Sequence, residues 1–169
     1  MRFNATVDYP GPASQIADLL SNRDFTSARF AGSHSTQNEN HIATTSQQGF
    51  EVTLTRFLPR EALPSQAQGF LANGVQLRIK ETWLPPQPDG SRDGDSSVDV
   101  VGLPAQANGT YTLQAATMTS ASLIYQGDVK VNIPLFGARV EQAIVDTLEA
   151  FAEHERDLAV RWLTQINKS

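Results

Sequence analysis

The first nine residues of the chain alternate between apolar and polar side chains. A period of two predicts a half-buried strand, and its inward side chains are Phe3, Ala5, Val7 and Tyr9. A Pro-Gly-Pro turn ends this strand, and Pro12 suits the first turn of a helix. The pattern then predicts one short helix over residues 13–20 and another over residues 24–30.

Further along, the period of two returns and persists for about a hundred residues. The predicted strands cover residues 33–46, 50–58, 75–83, 97–103, 109–117 and 120–133. Turn-forming residues separate them at hairpin spacing, which favours consecutive antiparallel strands. Residues 85–96 are rich in Pro, Gly and Asp and have little to bury, so we expect a mobile hairpin loop there.

The last thirty residues change to a helical period. Apolar residues recur at steps of three and four between Val140 and Ile166, and Glu155 occupies the one gap. A helix from Gly137 to Ile166 would be about 45 Å long, whereas a domain of this size is about 40 Å across. The helix must therefore cross the whole molecule, and only the sheet offers a partner of matching length. This predicts an α+β fold in a single domain, residues 1–169, in which a curved antiparallel sheet of about seven strands wraps around the long C-terminal helix.

Residues 127–141, GDVKVNIPLFGARVE, resemble the last strand and helix entry of a bacterial family of unknown function. The motifs Glu81-Thr82-Trp83 and Gly102-Leu103-Pro104 support the match, and the order of elements covers essentially the whole chain. That family lies in the START-like superfamily, also called polyketide-cyclase-like or helix-grip. The resemblance implies this fold and a habit of holding apolar, lipid-like ligands between sheet and helix. It carries over no catalytic residue.

Composition excludes several classes of function. The net charge is −5, and the 13 basic residues are scattered among 18 acidic ones, which disfavours nucleic acid and anionic membrane surfaces as partners. The absence of cysteine excludes disulfides and thiolate metal sites. No apolar run is long enough to span a membrane, and no signal-like block opens the chain, so we expect a cytoplasmic protein. The oligomeric state is left open.

No motif for a cofactor, a metal or a nucleophile stands out. His34 and His41 would point to opposite faces of one regular strand, so they could not share a metal without a bulge. No Gly-x-Ser-x-Gly elbow and no phosphate-binding glycine loop are present. We therefore predict no metal site and no cofactor, and we identify no catalytic residue.

The predicted ligand-binding residues face the space between sheet and helix. They are Val52, Leu54, Leu77, Ile79, Glu81, Trp83, Tyr111, Tyr125, Ile144, Leu148, Phe151 and Glu155. Glu155 could hold a ligand or act as a base, or it could turn toward Arg156 or solvent, or pair with a sheet residue such as Arg78. Arg56 and Glu81 interrupt two apolar strand faces, where they could pair with each other or provide polar points inside a cavity.

Three hypotheses about function follow. The first is a non-enzymatic carrier or sensor that binds a small apolar molecule in the cavity. The second is a cyclase- or hydrolase-type enzyme that uses Glu155, His154 or a pocket tyrosine. The third is an interaction module with a filled core, which would use an exposed sheet edge or the strand at residues 33–46.

Overall fold

The computed structural model describes residues 1–31, 38–44, 47–63 and 65–168. The strands are β1 (Arg2–Tyr9), β2 (Asn38–Thr44), β3 (Phe50–Leu58), β4 (Val75–Trp83), β5 (Arg92–Val100), β6 (Ala105–Thr117) and β7 (Ser120–Val131). The helices are α1 (Ala13–Leu20), α2 (Arg23–Phe30), α3 (Ser65–Gln68) and α4 (Gly137–Ile166), with a 3-10 turn at Arg60–Ala62. This order confirms the predicted one, and α4 has the predicted bounds.

The seven strands form one antiparallel sheet in the order β1-β7-β6-β5-β4-β3-β2. Strands β2 to β7 follow each other as hairpins, and β1 pairs with β7 at the far edge. A sheet of this kind twists and can wrap around a helix. The predicted helix-grip architecture, a curved antiparallel sheet around the long C-terminal helix, is therefore confirmed.

Four strands differ in extent from the prediction. Strand β6 begins at Ala105, four residues before its predicted start, and β7 ends at Val131 instead of residue 133. Strand β5 begins at Arg92, so residues 92–96 are strand and the connection after β4 is residues 84–91. Gly94 faces inward but has no side chain, so it carries no apolar signal. A Cβ at Gly94 would lie 3.2 Å from the indole of Trp83, which occupies that space. Strand β2 occupies residues 38–44, and the rest of the predicted strand at 33–46, including His34, lies outside the described residues.

The start of α4 is fastened to the sheet. Glu141 accepts a hydrogen bond from the backbone N–H of Val131 at 2.9 Å and pairs with the amino group of Met1 at 3.2 Å. Gly137 allows a close approach, because a Cβ there would lie 2.3 Å from the carbonyl oxygen of Val131. None of the described helices is long and apolar enough to cross a bilayer.

Two large core regions and a smaller cluster of Phe30, Leu54 and Ile79 divide the space between α4 and the sheet. The first core is built by the C-terminal half of α4 with α1, β1 and β7, and Ile16, Leu123, Leu158 and Leu163 are almost fully buried there. The second core is built by the N-terminal half of α4 with parts of β4 and β7, around Val75, Val129, Val131, Val140 and Val145. Helix α4 runs close to β1 and β7, which places it over one side of the sheet.

Candidate functional site

A group of polar side chains lies inside the grip, and Arg29 is at its centre. Arg29 sits on α2, whose start is capped by the Asn22 side chain, which accepts hydrogen bonds from the N–H groups of Asp24 and Phe25 at 2.9 Å. Arg29 follows Phe25 by one turn and therefore lies on the same buried face of the helix. Its side chain has no exposed surface.

Arg29 bridges two buried glutamates. Its Nη1 donates to Oε2 of Glu81 at 3.0 Å, and its Nε lies 3.0 Å from Oε2 of Glu155. Both carboxylates are fully buried. The guanidinium thus ties α2 to β4 and to α4 at a single point.

Tyrosine hydroxyls and one indole complete the site. Tyr9 and Tyr125 each donate to a different oxygen of Glu155 at 2.5 Å. Tyr111 donates to Oε1 of Glu81 at 3.1 Å, and Trp83 Nε1 lies 3.5 Å from the other oxygen. We call Arg29, Glu81, Glu155, Tyr9, Tyr111, Tyr125 and Trp83 the polar cluster. It contains all three tyrosines of the chain.

Burial and charge set the protonation of the polar cluster. Burial raises the pKa of all three tyrosines well above 10, and the neighbouring carboxylates raise it further. Burial alone would lower the pKa of the Arg29 guanidinium, but Glu155 and Glu81 more than offset it and the pKa is raised. The tyrosines are therefore neutral donors and Arg29 is a cation. Each carboxylate oxygen accepts at least one hydrogen bond from within the cluster.

This geometry corrects two possible pairings. The strand register places Arg56 opposite Leu77 and Glu81 opposite Val52, so Arg56 and Glu81 do not pair across the sheet, and the partner of Glu81 is Arg29. Arg78 is exposed on the other face of β4, and Glu155 pairs with Arg29 instead. Both alternatives failed because the true partner comes from α2, outside the sheet.

Sequence reasoning missed Arg29 and did not assign Tyr9 to the site. The signal for Arg29 was its spacing from Phe25, which puts a cation on the apolar face of a short helix. Tyr9 was predicted to point inward but was taken as an ordinary core residue. His154, which the enzyme hypothesis used, is exposed on α4 and lies apart from the polar cluster.

The predicted ligand-binding residues all lie on the inner face of the sheet or on the facing side of α4. Five of them, Glu81, Trp83, Tyr111, Tyr125 and Glu155, belong to the polar cluster. Val52, Leu54 and Ile79 are buried beside it. Leu77, Ile144, Leu148 and Phe151 are only half-buried. The first three border the second core, and Phe151 packs against the smaller cluster of Phe30, Leu54 and Ile79.

An open depression of about 1010 Å³ lies on the outer face of the sheet, away from α4. Polar side chains dominate its lining, among them Lys80, Asp95, Asn108, Gln126 and Asp128. They occupy strand positions that alternate with the inward-facing residues. This depression is distinct from the apolar cavity that the sequence predicted between sheet and helix.

The comparison with protein families decides the affiliation. The model of a family described as a protein of unknown function, DUF2505, matches residues 4–163. The chain belongs to this family. No curated protein matches it.

Solved structures with the same fold are very distant in sequence. A START superfamily protein from Mycobacterium smegmatis is 14% identical with a TM-score of 0.61, and the match covers 96% of this chain and 98% of that one. Human STARD10 is 12% identical with a TM-score of 0.63, over 99% of this chain and 66% of that one. The Zhui aromatase/cyclase from Streptomyces sp. R1128 is 10% identical with a TM-score of 0.59, over 95% and 91%. At these identities the likeness shows the START-like helix-grip fold alone.

Proposed function

We propose that this protein binds a small apolar ligand between the N-terminal half of α4 and strands β3 to β5. The fold supports this proposal, because START-like folds commonly bind hydrophobic ligands. The ligand would contact Leu77, Ile144, Leu148 and Phe151, which are the half-buried members of the predicted set.

The observation that carries the proposal is the difference between the two cores. In the first core, the buried apolar side chains clearly outnumber the partly exposed ones. In the second core, partly exposed apolar residues outnumber the buried ones among the residues that the structure describes. Each of these side chains keeps water on its surface, and covering that surface is favourable by roughly 25 cal/mol per Å². An apolar ligand would cover it.

The polar cluster would form the closed end of this site. It lies beside Leu54 and Ile79, and its Arg29 stands 4.8 Å and 5.6 Å from the ring centroids of Phe30 and Phe151, which stack on each other. Its two carboxylates are fully buried, and each of their oxygens already accepts a hydrogen bond from Arg29 or a tyrosine. This favours a binding role over acid–base catalysis. The cyclase- or hydrolase-type enzyme and the interaction module remain untested hypotheses.

A displacement assay tests the proposal. The neutral dye N-phenyl-1-naphthylamine is bound to the protein and displaced by dodecan-1-ol. We expect the half-buried Leu77→Trp to weaken dye binding about tenfold, because the indole occupies the proposed site, while circular dichroism and the melting temperature show that the fold is retained. Leu84→Trp is the matched control, because Leu84 is half exposed just beyond the end of β4.

The outcome is unambiguous. Equal dye affinity for both variants, or no dye binding by the unaltered protein, would refute an apolar site bordered by Leu77. If the dye binds as expected, native mass spectrometry of protein purified from its own host would identify a ligand that copurifies.

A further inference from the structure

A second inward-facing arginine lies at the rim of the proposed site. Arg56 is on β3, two residues after Leu54, and continues the inward series of that strand. The register places it opposite Leu77, whose half-buried side chain borders the second core. Along the strand, the next inward neighbours are Leu54 and Leu58. Arg56 thus interrupts an otherwise apolar inward row on β3, with Leu77 opposite it on β4 and Asn38 opposite it on β2.

Arg56 differs from Arg29 in having no anionic partner within the described part of the chain. Its Nε is buried without a hydrogen-bond partner, and no carboxylate lies within 4.0 Å of its side chain among the residues that the structure describes. Burial lowers the pKa of its guanidinium, and no neighbouring acid offsets this shift. Arginines with buried nitrogens are normally paired. A half-buried arginine without a pair is therefore suited to an anion that arrives from outside.

The polar cluster is a poor place for such an anion. Its single arginine already pairs with both Glu81 and Glu155, so an anionic ligand group would find no unpaired cation in the cluster. Moving an anion into a buried region without a partner cation is costly. We therefore expect the anionic group of a ligand to lie near Arg56, at the end of the proposed site away from the polar cluster.

We infer that the ligand is an anionic amphiphile, whose tail lies against the half-buried apolar residues and whose oxyanion pairs with Arg56. This inference rests on the proposed function and adds the chemical class of the ligand. The planar guanidinium can donate two parallel hydrogen bonds to a carboxylate or to a phosphate. The shared chemistry is an oxyanion on an alkyl chain.

The test compares three ligands of equal chain length. Dodecanoate, dodecyl phosphate and dodecan-1-ol are titrated against the dye-loaded protein, below the concentrations at which they aggregate. Charge-assisted hydrogen bonds contribute about 1.5–3 kcal/mol, so we expect at least one of the two anions to bind about tenfold or more tightly than the alcohol. The anion that shows the larger preference identifies the head group, carboxylate or phosphate.

Variants then assign the preference to Arg56. We expect Arg56→Gln to remove the preference for the anion and to leave the affinity for dodecan-1-ol within about twofold. Arg56→Lys should retain part of the preference, because lysine keeps the positive charge but lacks the planar guanidinium that donates two parallel hydrogen bonds. Arg78→Gln is the matched control, since Arg78 is exposed on the other face of the neighbouring strand, and it should behave as the unaltered protein.

Two results would overturn the inference in distinguishable ways. If the alcohol binds as tightly as both anions, or if Arg56→Gln keeps the preference, then Arg56 is not the head-group site, although the apolar site stands. If the unaltered protein does not bind the dye, or if none of the three ligands displaces it, the proposed function falls and this inference falls with it.

Discussion

Raising the pH should unfold the protein through its three tyrosines. Tyr9, Tyr111 and Tyr125 are all buried donors in the polar cluster, and their pKa values in the folded protein are raised well above 10. In the unfolded chain they would ionise near pH 10. Because the folded pKa is the higher one, their contribution to stability is fully present below pH 10. It is lost as the pH rises from there towards the folded pKa.

The size of this effect follows from the number of protons. Above pH 10 the unfolded state releases up to three protons that the folded state retains. At about 1.4 kcal/mol per proton and pH unit, the free energy of unfolding falls by about 4 kcal/mol for each further pH unit. A domain with a stability of about 5–15 kcal/mol would therefore unfold between roughly pH 11 and pH 14.

The assay is a spectrophotometric titration of tyrosinate, followed in parallel by far-ultraviolet circular dichroism. Since the chain has only these three tyrosines, the absorbance reports the polar cluster without background from surface tyrosines. We expect no tyrosinate near pH 10 and then a steep rise that coincides with the loss of helix signal. The same protein in concentrated guanidinium chloride is the control and should titrate near pH 10. Even one tyrosine that ionises near pH 10 while the helix signal is intact would refute the buried hydrogen bonds described above.

Two substitutions test the packing around the same cluster. Arg29→Met should lower the free energy of unfolding by about 3–5 kcal/mol, because it leaves two buried carboxylates without their cation. In urea unfolding, the free energy of the exposed control Arg78→Met should stay within about 0.5 kcal/mol of the unaltered protein. A loss below about 1 kcal/mol for Arg29→Met would contradict its pairing with the two buried glutamates. Gly127→Ala should cost about 1–3 kcal/mol, because its Cβ would lie 2.3 Å from the Asn108 carbonyl oxygen and 2.7 Å from the Phe3 ring. Gly69→Ala, whose Cβ would have no neighbour within 4 Å, is the control, and equal melting temperatures for the two variants would show that Phe3 does not pack there.

The fold was predictable because its determinants are local and periodic. The stripe from Val140 to Ile166 continues for the full length of α4, and a helix of that length has only one possible partner in a chain of this size. The alternation of Phe50, Val52 and Leu54 likewise defines β3 without reference to the rest of the chain. Strand β5 was harder, since its first inward positions are Arg92, Gly94 and Ser96, which carry little apolar signal.

The site was only partly predictable, because its contacts join residues that are far apart in the sequence. The interior position of Glu155 follows from its place in the stripe of α4. Its partners Tyr9 and Arg29 lie 146 and 126 residues away, and no sequence period connects them. Within the sheet, pairing Arg56 with Glu81 would have required a known register. Periodicity predicts which face a side chain takes, but the partner depends on how the layers dock.

The polar cluster explains how α4 can keep one fixed position on the sheet although the space beside its N-terminal half is only partly filled. Arg29, Glu81 and Glu155 connect α2, β4 and α4, and the tyrosines add β1, β6 and β7. A buried ionic network of this kind adds little net stability compared with an apolar core, but separating its members is costly. Docking α4 in another register would break several of these contacts at once. The N-terminal half of α4 can therefore leave Ile144 and Leu148 half covered without losing its position, which is what a site that must admit a ligand requires.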